Sequence, residues 1–230
     1  MHEPLNAMIL AAGRGERMRP LTDTVPKALL PVGGKPLIVH HIEKLASAGC
    51  RKLVINHAHL GAQIEAALGN GRRFGLDIRY SPEAEALETA GGIAQALPLL
   101  GTEPFVVVNA DVFSDLNYEK LFTAAASLRT SARLAHLVLV PNPSHHPGGD
   151  FALNGDSVAL DGPRFTFSGI AAYQPAMFES IVPGTRARLG ELLKKAIGEN
   201  VVGGELYEGR WCDVGTPQRL AELDRELAAR

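Results

Sequence analysis

Short apolar runs alternate along the chain with segments whose apolar residues recur every three or four positions. "NAMIL" (6–10), "KLVINH" (52–57), "LDIRYS" (76–81), "PFVVVNAD" (104–111) and "LAHLVLV" (134–140) have the length and β-branched content of strands. The segments between them read as helices. "PLIVHHIEKLASAG" (36–49) opens with proline near its first turn and stops at glycine. "GAQIEAAL" (61–68), "AGGIAQALPLL" (90–100) and "NYEKLFTAAASL" (117–128) follow the same period. Strand and helix alternating through short connections predict a mostly parallel sheet with helices on both faces.

The pattern changes after residue 140. From 141 to 173, short alternating runs lie between Gly, Pro, Asn and Asp turns, which predicts antiparallel strands. Two helical segments (around 175–182 and 188–197), a strand pair within 201–215 and a closing helix at 216–229 complete the chain. There is no linker, low-complexity stretch or short repeat. The expectation is one α/β domain over 1–230, with a Rossmann-like, mixed and mostly parallel sheet flanked by helices.

Composition removes some function classes. A net charge of -2 offers no electrostatic footprint for nucleic acid. Two cysteines, Cys50 and Cys212, make neither a disulfide framework nor a CxxC pair and read as reduced structural thiols. Residues 1–6 are not a basic leader followed by an apolar stretch, and no run approaches the roughly 18 apolar residues of a membrane span. A soluble, cytoplasmic protein with no membrane partner is expected.

The candidate chemistry starts in "ILAAGRGERMRPLTDTVPKALLPV" (9–32). It follows the first strand directly, and ligands of open α/β sheets bind beyond the carboxyl ends of the strands. The small residues Ala11, Ala12, Gly13 and Gly15 let backbone N–H groups approach a phosphate or a base edge. The spacing is not that of a P-loop, and Met18 stands where a dinucleotide loop needs its third glycine, which excludes a nicotinamide-dependent dehydrogenase. Pro20 and Pro26 keep the stretch out of regular helix. Arg14, Arg17, Arg19 and Lys27 crowd positive charge into it, an arrangement that a shared polyphosphate would relieve. Asp111 stands at the end of the most apolar strand, and Asp213 in "RWCDVGT" precedes the closing helix. Two carboxylates at one polyphosphate site suit Mg²⁺, which takes one or two carboxylates and completes its shell with phosphates and water.

With these pieces in place, the chain resembles the sugar-1-phosphate nucleotidyltransferases over essentially its whole length. "LAAGRGERMRPLT…PKALLPVGGKPLI" is similar to the family's phosphate loop, with its arginine at Arg17 and its lysine at Lys27. "NADVF" and "WCDVGT" are similar to the two metal-aspartate motifs, at Asp111 and Asp213. "SPEAEALETAGGIAQAL" resembles the base-recognition segment. Within the family, "VINHAHLGAQIEAALGNGRRFGLDIRYSPE", "LETAGGI", "FTFSGI" and the short length look most like a uridylyltransferase branch of bacterial cell-wall recycling.

The resemblance implies a nucleotide-binding half at about 1–140 and a sugar-binding half at about 141–230. It implies UTP and a sugar 1-phosphate as substrates, Mg²⁺ as cofactor, and Arg17, Lys27 and Asp111 as catalytic residues. Ala11, Ala12, Gly13, Gly15, Lys27, Glu83 and Gly91 would contact the nucleotide, and Asn109, Asp150 and Gly169 the sugar. Several of these have plainer readings: Asp150 as a turn residue, Glu88 as a helix-start carboxylate, Trp211 as core rather than pocket wall. One departure stands out. Many members carry a lysine in a Glu-Lys-Pro motif before the sugar-binding strand, and "RFTFSGIAAY" has none. Arg164 and Arg210 are candidates to replace it, while His145 and His146 read as a solvated turn. The competing functions are guanylyl or thymidylyl transfer to another sugar phosphate, and a non-catalytic nucleotide-sensing subunit on the same fold.

Overall fold

A computed structural model describes residues 6–229; residues 1–5, most of the segment read above for a leader, lie outside it. Thirteen strands and six helices are described: β1 (Ala7–Leu10), β2 (Pro31–Val32), β3 (Lys35–Pro36), α1 (Leu37–Ser47), β4 (Lys52–His57), α2 (Gly61–Leu68), β5 (Asp77–Pro82), α3 (Glu88–Leu100), β6 (Phe105–Asn109), β7 (Val112–Ser114), α4 (Tyr118–Leu128), β8 (Ala135–Val140), β9 (Phe151–Asn154), β10 (Ser157–Ala159), β11 (Arg164–Tyr173), α5 (Leu189–Gly198), β12 (Val202–Leu206), β13 (Trp211–Asp213) and α6 (Pro217–Ala228). The charged loop after β1 folds as three single 3₁₀ turns, Glu16–Met18, Leu21–Asp23 and Lys27–Leu29.

One nine-stranded sheet, in the order β5-β4-β1-β6-β11-β8-β12-β10-β9, carries both halves of the chain. The four strands from β5 to β6 are parallel. β11 then runs antiparallel to both β6 and β8. Alternation along the central strands explains why both faces are buried. Ala7 and Ile9, Leu53 and Ile55, and Val106 and Val108 point into one core, with helices α1, α2 and α4. Met8, Val54, Phe105 and Val107 point into the other, with α3 and α5.

Three expectations change. The strand through "PFVVVNAD" stops at Asn109, where the chain turns off the sheet after Ala110 N–H donates to Leu10 O. The two strands expected within 201–215 do not pair with each other. β12 enters the main sheet beside β8, while β13 leaves it to pair with β7. A small third core explains that choice: Val214, Phe113, Val32, Leu37 and Leu223 are all buried together, so α6 clamps the β7–β13 pair against α1. The helical segment around 175–182 is reduced to a 3₁₀ turn, Pro175–Met177.

Candidate active site

The parallel register puts Asn56, Leu10 and Asn109 side by side at the carboxyl edge of β4, β1 and β6. Beyond that edge opens a cavity of roughly 440 Å³. Ala11, Ala12, Gly13, Gly15, Arg17, Lys27, Glu83, Asn109 and Asp111, all named from the sequence, line it, together with Asn56, Glu88, Arg186 and Gly215.

The inner end of the cavity is built from buried hydrogen bonds. Asn56, 2% exposed, accepts from Ala11 N–H at 2.9 Å and donates to Glu83 Oε1 at 2.6 Å. Glu83 Oε2 accepts from Leu87 N–H at 2.8 Å. The Ala11 N–H is therefore engaged with the protein rather than turned to a ligand, and Glu83 holds the 84–87 loop as well as facing the cavity. Asn56 is the hub that sequence reasoning missed. Its signal was a polar residue in the buried strand "KLVINH", where polar groups persist only with partners.

Gly91 does not reach this wall. A Cβ there would run into the backbone of Thr185 and Ala187. Its neighbour Gly92 faces the cradle instead: a Cβ would sit 2.6 Å from Glu83 Oε1 and 2.7 Å from Asn56 Nδ2. Glu88 opens α3 with φ 62, a left-handed backbone that L-residues avoid.

The outer end is built from charges. Gly15 takes φ 70, and its bare Cα lets Thr22 Cγ2 and Lys27 Cβ pack at 3.0 and 3.3 Å from where a side chain would start. Lys27 Nζ thereby reaches Asp111 Oδ2 at 2.6 Å across 84 residues of sequence. Not every cation of the loop serves the cavity. Arg14 pairs with Glu16 at 2.8 Å and Arg19 with Asp23 at 2.7 Å, which leaves Arg17 without an ion pair among the described residues.

Asp111 and Asp213 converge because β13 pairs with β7: Val214 N–H donates to Asp111 O at 2.7 Å. Burial of Val214, fully enclosed, is worth about 1.5–3 kcal/mol and anchors this crossing. Beneath it, His41 Nε2–H donates to Val112 O at 2.6 Å and Nδ1 accepts from Tyr118 O–H at 2.8 Å. Burial pushes the His41 imidazole down to about 4 and raises the Tyr118 phenol above its ordinary value. Asp213 Oδ1 accepts from Arg219 Nη1 at 2.6 Å, and His145 Nε2 accepts from the same Nη1 at 2.6 Å, lying 2.9 Å from Oδ1 without donating to it. The "SHH" turn is thus tied to the second aspartate through Arg219 instead of standing free in solvent.

The residues suggested for a sugar fall on the β11 side. Gly169 lies in a break of strand register, against the Asn109 side chain. Asp150 Oδ2 accepts from Phe167 N–H at 2.8 Å, the anchoring role of a turn residue. Trp211 packs on the first core and donates to Ser168 O at 2.9 Å, beside that break. Arg164 donates to Leu160 O, and Arg210 pairs with Glu226 at 2.5 Å over the Phe113 ring. Neither turns to the cavity.

Asp213 does not line the cavity itself, but the β7–β13 crossing sets it beside Asp111, and with Arg17, Lys27 and Arg186 on the wall the set can hold a polyphosphate with a hard divalent ion. Among the described residues no three His, Cys, Asp or Glu side chains assemble into a cage. The donor set is that of an ion sharing two aspartates with phosphate oxygens and water, so the residues fit Mg²⁺. No helix among the described residues is long and apolar enough to cross a membrane.

Comparison with known proteins agrees with this chemistry. Residues 6–149 match the family model described as "Nucleotidyl transferase". The chain is 54% identical, over 95% of its length and 96% of the relative's, to N-acetylmuramate alpha-1-phosphate uridylyltransferase of Neisseria meningitidis. It is 32% identical, over 98% of both chains, to the protein of the same name from Caulobacter vibrioides. A Bacillus anthracis structure named for glucose-1-phosphate thymidylyltransferase, solved with a sucrose, shares the fold. Its TM-score is 0.85 at 21% identity, covering 98% of this chain and 96% of that one.

Proposed function

The chain belongs to the nucleotidyl transferase family, and from that premise we propose that it transfers the uridylyl group of UTP to N-acetylmuramate α-1-phosphate. The products are UDP-N-acetylmuramate and pyrophosphate, a step of cell-wall sugar recycling in the cytoplasm. The observation that carries this reading is the single cavity in which the glycine-rich loop, the Lys27–Asp111 pair and Gly215 meet, in a chain 54% identical to a uridylyltransferase of that name.

An oxygen of the sugar phosphate attacks the α-phosphorus of UTP in line with the leaving pyrophosphate. That oxygen is ionised at neutral pH, so no general base is required. The barrier lies in bringing two polyanions together and in the charge that develops on the leaving group, which positioned cations relieve. Arg17 holds the β- and γ-phosphates and stabilises departing pyrophosphate. Lys27 lies 2.6 Å from Asp111 and neutralises charge at the α-phosphate. Asp111 and Asp213 would hold Mg²⁺, which would supply positive charge to the reacting phosphates. The uracil rests in the cradle behind Ala12 and Gly13, whose floor is Asn56, Glu83 and Gly92. The 141–230 half, through β11 and its Gly169 break beside Asn109, faces the sugar.

The test is pyrophosphate release with Mg²⁺, pairing each of four nucleoside triphosphates with a panel of sugar 1-phosphates. Release with UTP and N-acetylmuramate 1-phosphate alone is the expected result. Release with another pair would keep the reaction and overturn the substrates. A folded protein that binds nucleotide and releases nothing would overturn catalysis itself.

A further inference from the structure

The phosphate of the incoming sugar needs a cation. The family's usual lysine is missing, Arg164 and Arg210 lie off the cavity wall, and Arg186 lines it on the side of Glu88 and Thr89. The structure offers a different arginine. Arg219 lies in the first turn of α6, where its backbone N–H and Nε both lean on Thr216 Oγ1, at 3.3 and 3.4 Å. Its Nη1 is tethered to Asp213 Oδ1 and to His145 Nε2, each at 2.6 Å. The side chain is only 18% exposed, so its direction is set by packing.

The other half of the guanidinium is the informative one. Nη2 has no hydrogen-bond partner among the described residues and presses against the bare Cα of Gly215, which lines the cavity. Arg17 Nη2 comes to 3.1 Å of the same point, the position a Cβ on Gly215 would take, and Asp213 Oδ2 to 3.2 Å. The two guanidinium groups share there the single negative charge of Asp213, which leaves the spot net positive, and a guanidinium fork matches phosphate geometry. Arg17 approaches from the loop that would hold the triphosphate. Arg219 reaches the same point from α6, held there by Asp213 of β13 and by His145.

We infer that Arg219 binds the phosphate of the sugar 1-phosphate through Nη2, taking the place of the missing lysine, and that His145 positions it. The absence of a side chain at Gly215 gives the Arg219 guanidinium its room, since a Cβ there would lie 2.4 Å from Nη2. Asp213 holds the guanidinium through Oδ1 and leaves Oδ2 beside Gly215, 3.2 Å from where a Cβ would sit. This inference rests on the proposed uridylyl transfer.

The experiment uses the full chain with Arg219→Ala and Arg219→Lys. Calorimetry measures N-acetylmuramate 1-phosphate binding to enzyme loaded with Mg²⁺ and a non-hydrolysable UTP analogue, and steady-state kinetics gives the KM of each substrate. Hydrogen bonds to a charged group are worth about 1.5–3 kcal/mol, so Arg219→Ala should weaken sugar-phosphate binding and raise its KM by roughly tenfold to a hundredfold. The KM for UTP and the Mg²⁺ concentration for half-maximal activity should stay unchanged. Arg219→Lys should recover part of the loss. Unchanged sugar-phosphate affinity overturns the inference. So does a parallel rise in the Mg²⁺ requirement, which would reduce Arg219 to a support for Asp213. Failure of the reaction itself would appear in the unsubstituted enzyme, as no nucleotide sugar formed with any sugar 1-phosphate, and is thereby separable.

Discussion

The two ends of the cavity are held by opposite means. At the inner end, Asn56, Glu83 and the Ala11 and Leu87 amides satisfy one another. At the outer end, Lys27 with Asp111 and Arg219 with Asp213 pair across partly exposed space. The first arrangement is finished before any ligand arrives and suits a flat base whose edge must be read the same way each time. The second is provisional. Its ion pairs are those that a polyphosphate and a divalent cation would exchange for their own, so the charges are held in place and remain available. A buried network gives geometry, and a half-solvated set of ion pairs gives charge that can be redirected.

The sharpest way to break this comparison is to remove a charge from the outer end. Lys27→Ala should reduce kcat by about 10²–10³-fold, the usual cost of losing one positioned donor to a developing negative charge. Asp111→Ala should cost at least as much. Asp111 is 41% exposed, so water replaces the ammonium in Lys27→Ala and the stability of that variant should change by less than about 1 kcal/mol. Asp111→Ala leaves the 11% exposed Lys27 unpaired and should lose more. Pyrophosphate release and thermal melts on the same preparations decide the matter. A loss of activity in Lys27→Ala matched by a loss of Tm would make the pair structural and erase the contrast between the two ends.

The same contrast explains what was legible in the sequence. The parallel half was readable because each element announces itself locally: apolar runs end in glycine or proline, and helices carry their own period. The glycine-rich loop, Arg17, Lys27 and Asp111 stood out as residue types at strand ends. The partnerships did not. Lys27 meets Asp111 across 84 positions and Arg219 meets His145 across 74, and no local pattern encodes either distance. β13 was paired with the wrong strand because its choice depends on where Val214 and Leu223 find a shared core. Gly91 and Gly92 are equivalent in sequence, and only the helix rotation fixed by packing tells which one faces the base cradle.

The outer end also has a buried support, and pH separates it from the charges above. His41 titrates near 6.5 in the unfolded chain and is pushed down to about 4 by burial in the fold. Between those values the unfolded state binds the proton and the folded state does not, so stability is complete above pH 6.5 and falls as the pH drops toward 4. The shift corresponds to about 3 kcal/mol at about 1.4 kcal/mol per pH unit. Urea unfolding at pH 7 and pH 5 should register part of that loss, and His41→Gln should flatten the His41 contribution to the slope. A slope indifferent to the substitution would assign the acid sensitivity to other groups.

At the inner end, Asn56→Ala leaves the Ala11 N–H and one Glu83 oxygen without their protein partner on the floor of the cavity. Each orphaned group costs about 1–3 kcal/mol. Stability should fall accordingly in urea titrations, and the KM for UTP should rise while the KM for the sugar phosphate holds. Equal rises in both would mean that the cradle supports the whole cavity, and the division between its ends would be lost.

The smallest expected effect lies where the two ends meet. Glu88 holds φ 62 at the start of α3, on the cavity wall, and such a backbone costs an L-residue about 1–2 kcal/mol. A carboxylate in the first turn of a helix recovers about 0.3–1 kcal/mol from the dipole. Glu88→Ala keeps the strain and discards the charge, so it should lower stability slightly. Glu88→Gly discards both, and should be more stable than Glu88→Ala by about 1 kcal/mol. Thermal melts of the two variants isolate the backbone term because neither has a carboxylate. If Glu88 serves only the helix, the KM for UTP will follow neither substitution. If the strained backbone is retained to present the carboxylate to the nucleotide, both variants will raise that KM alike, and Glu88→Gly will combine greater stability than Glu88→Ala with the same weakened binding.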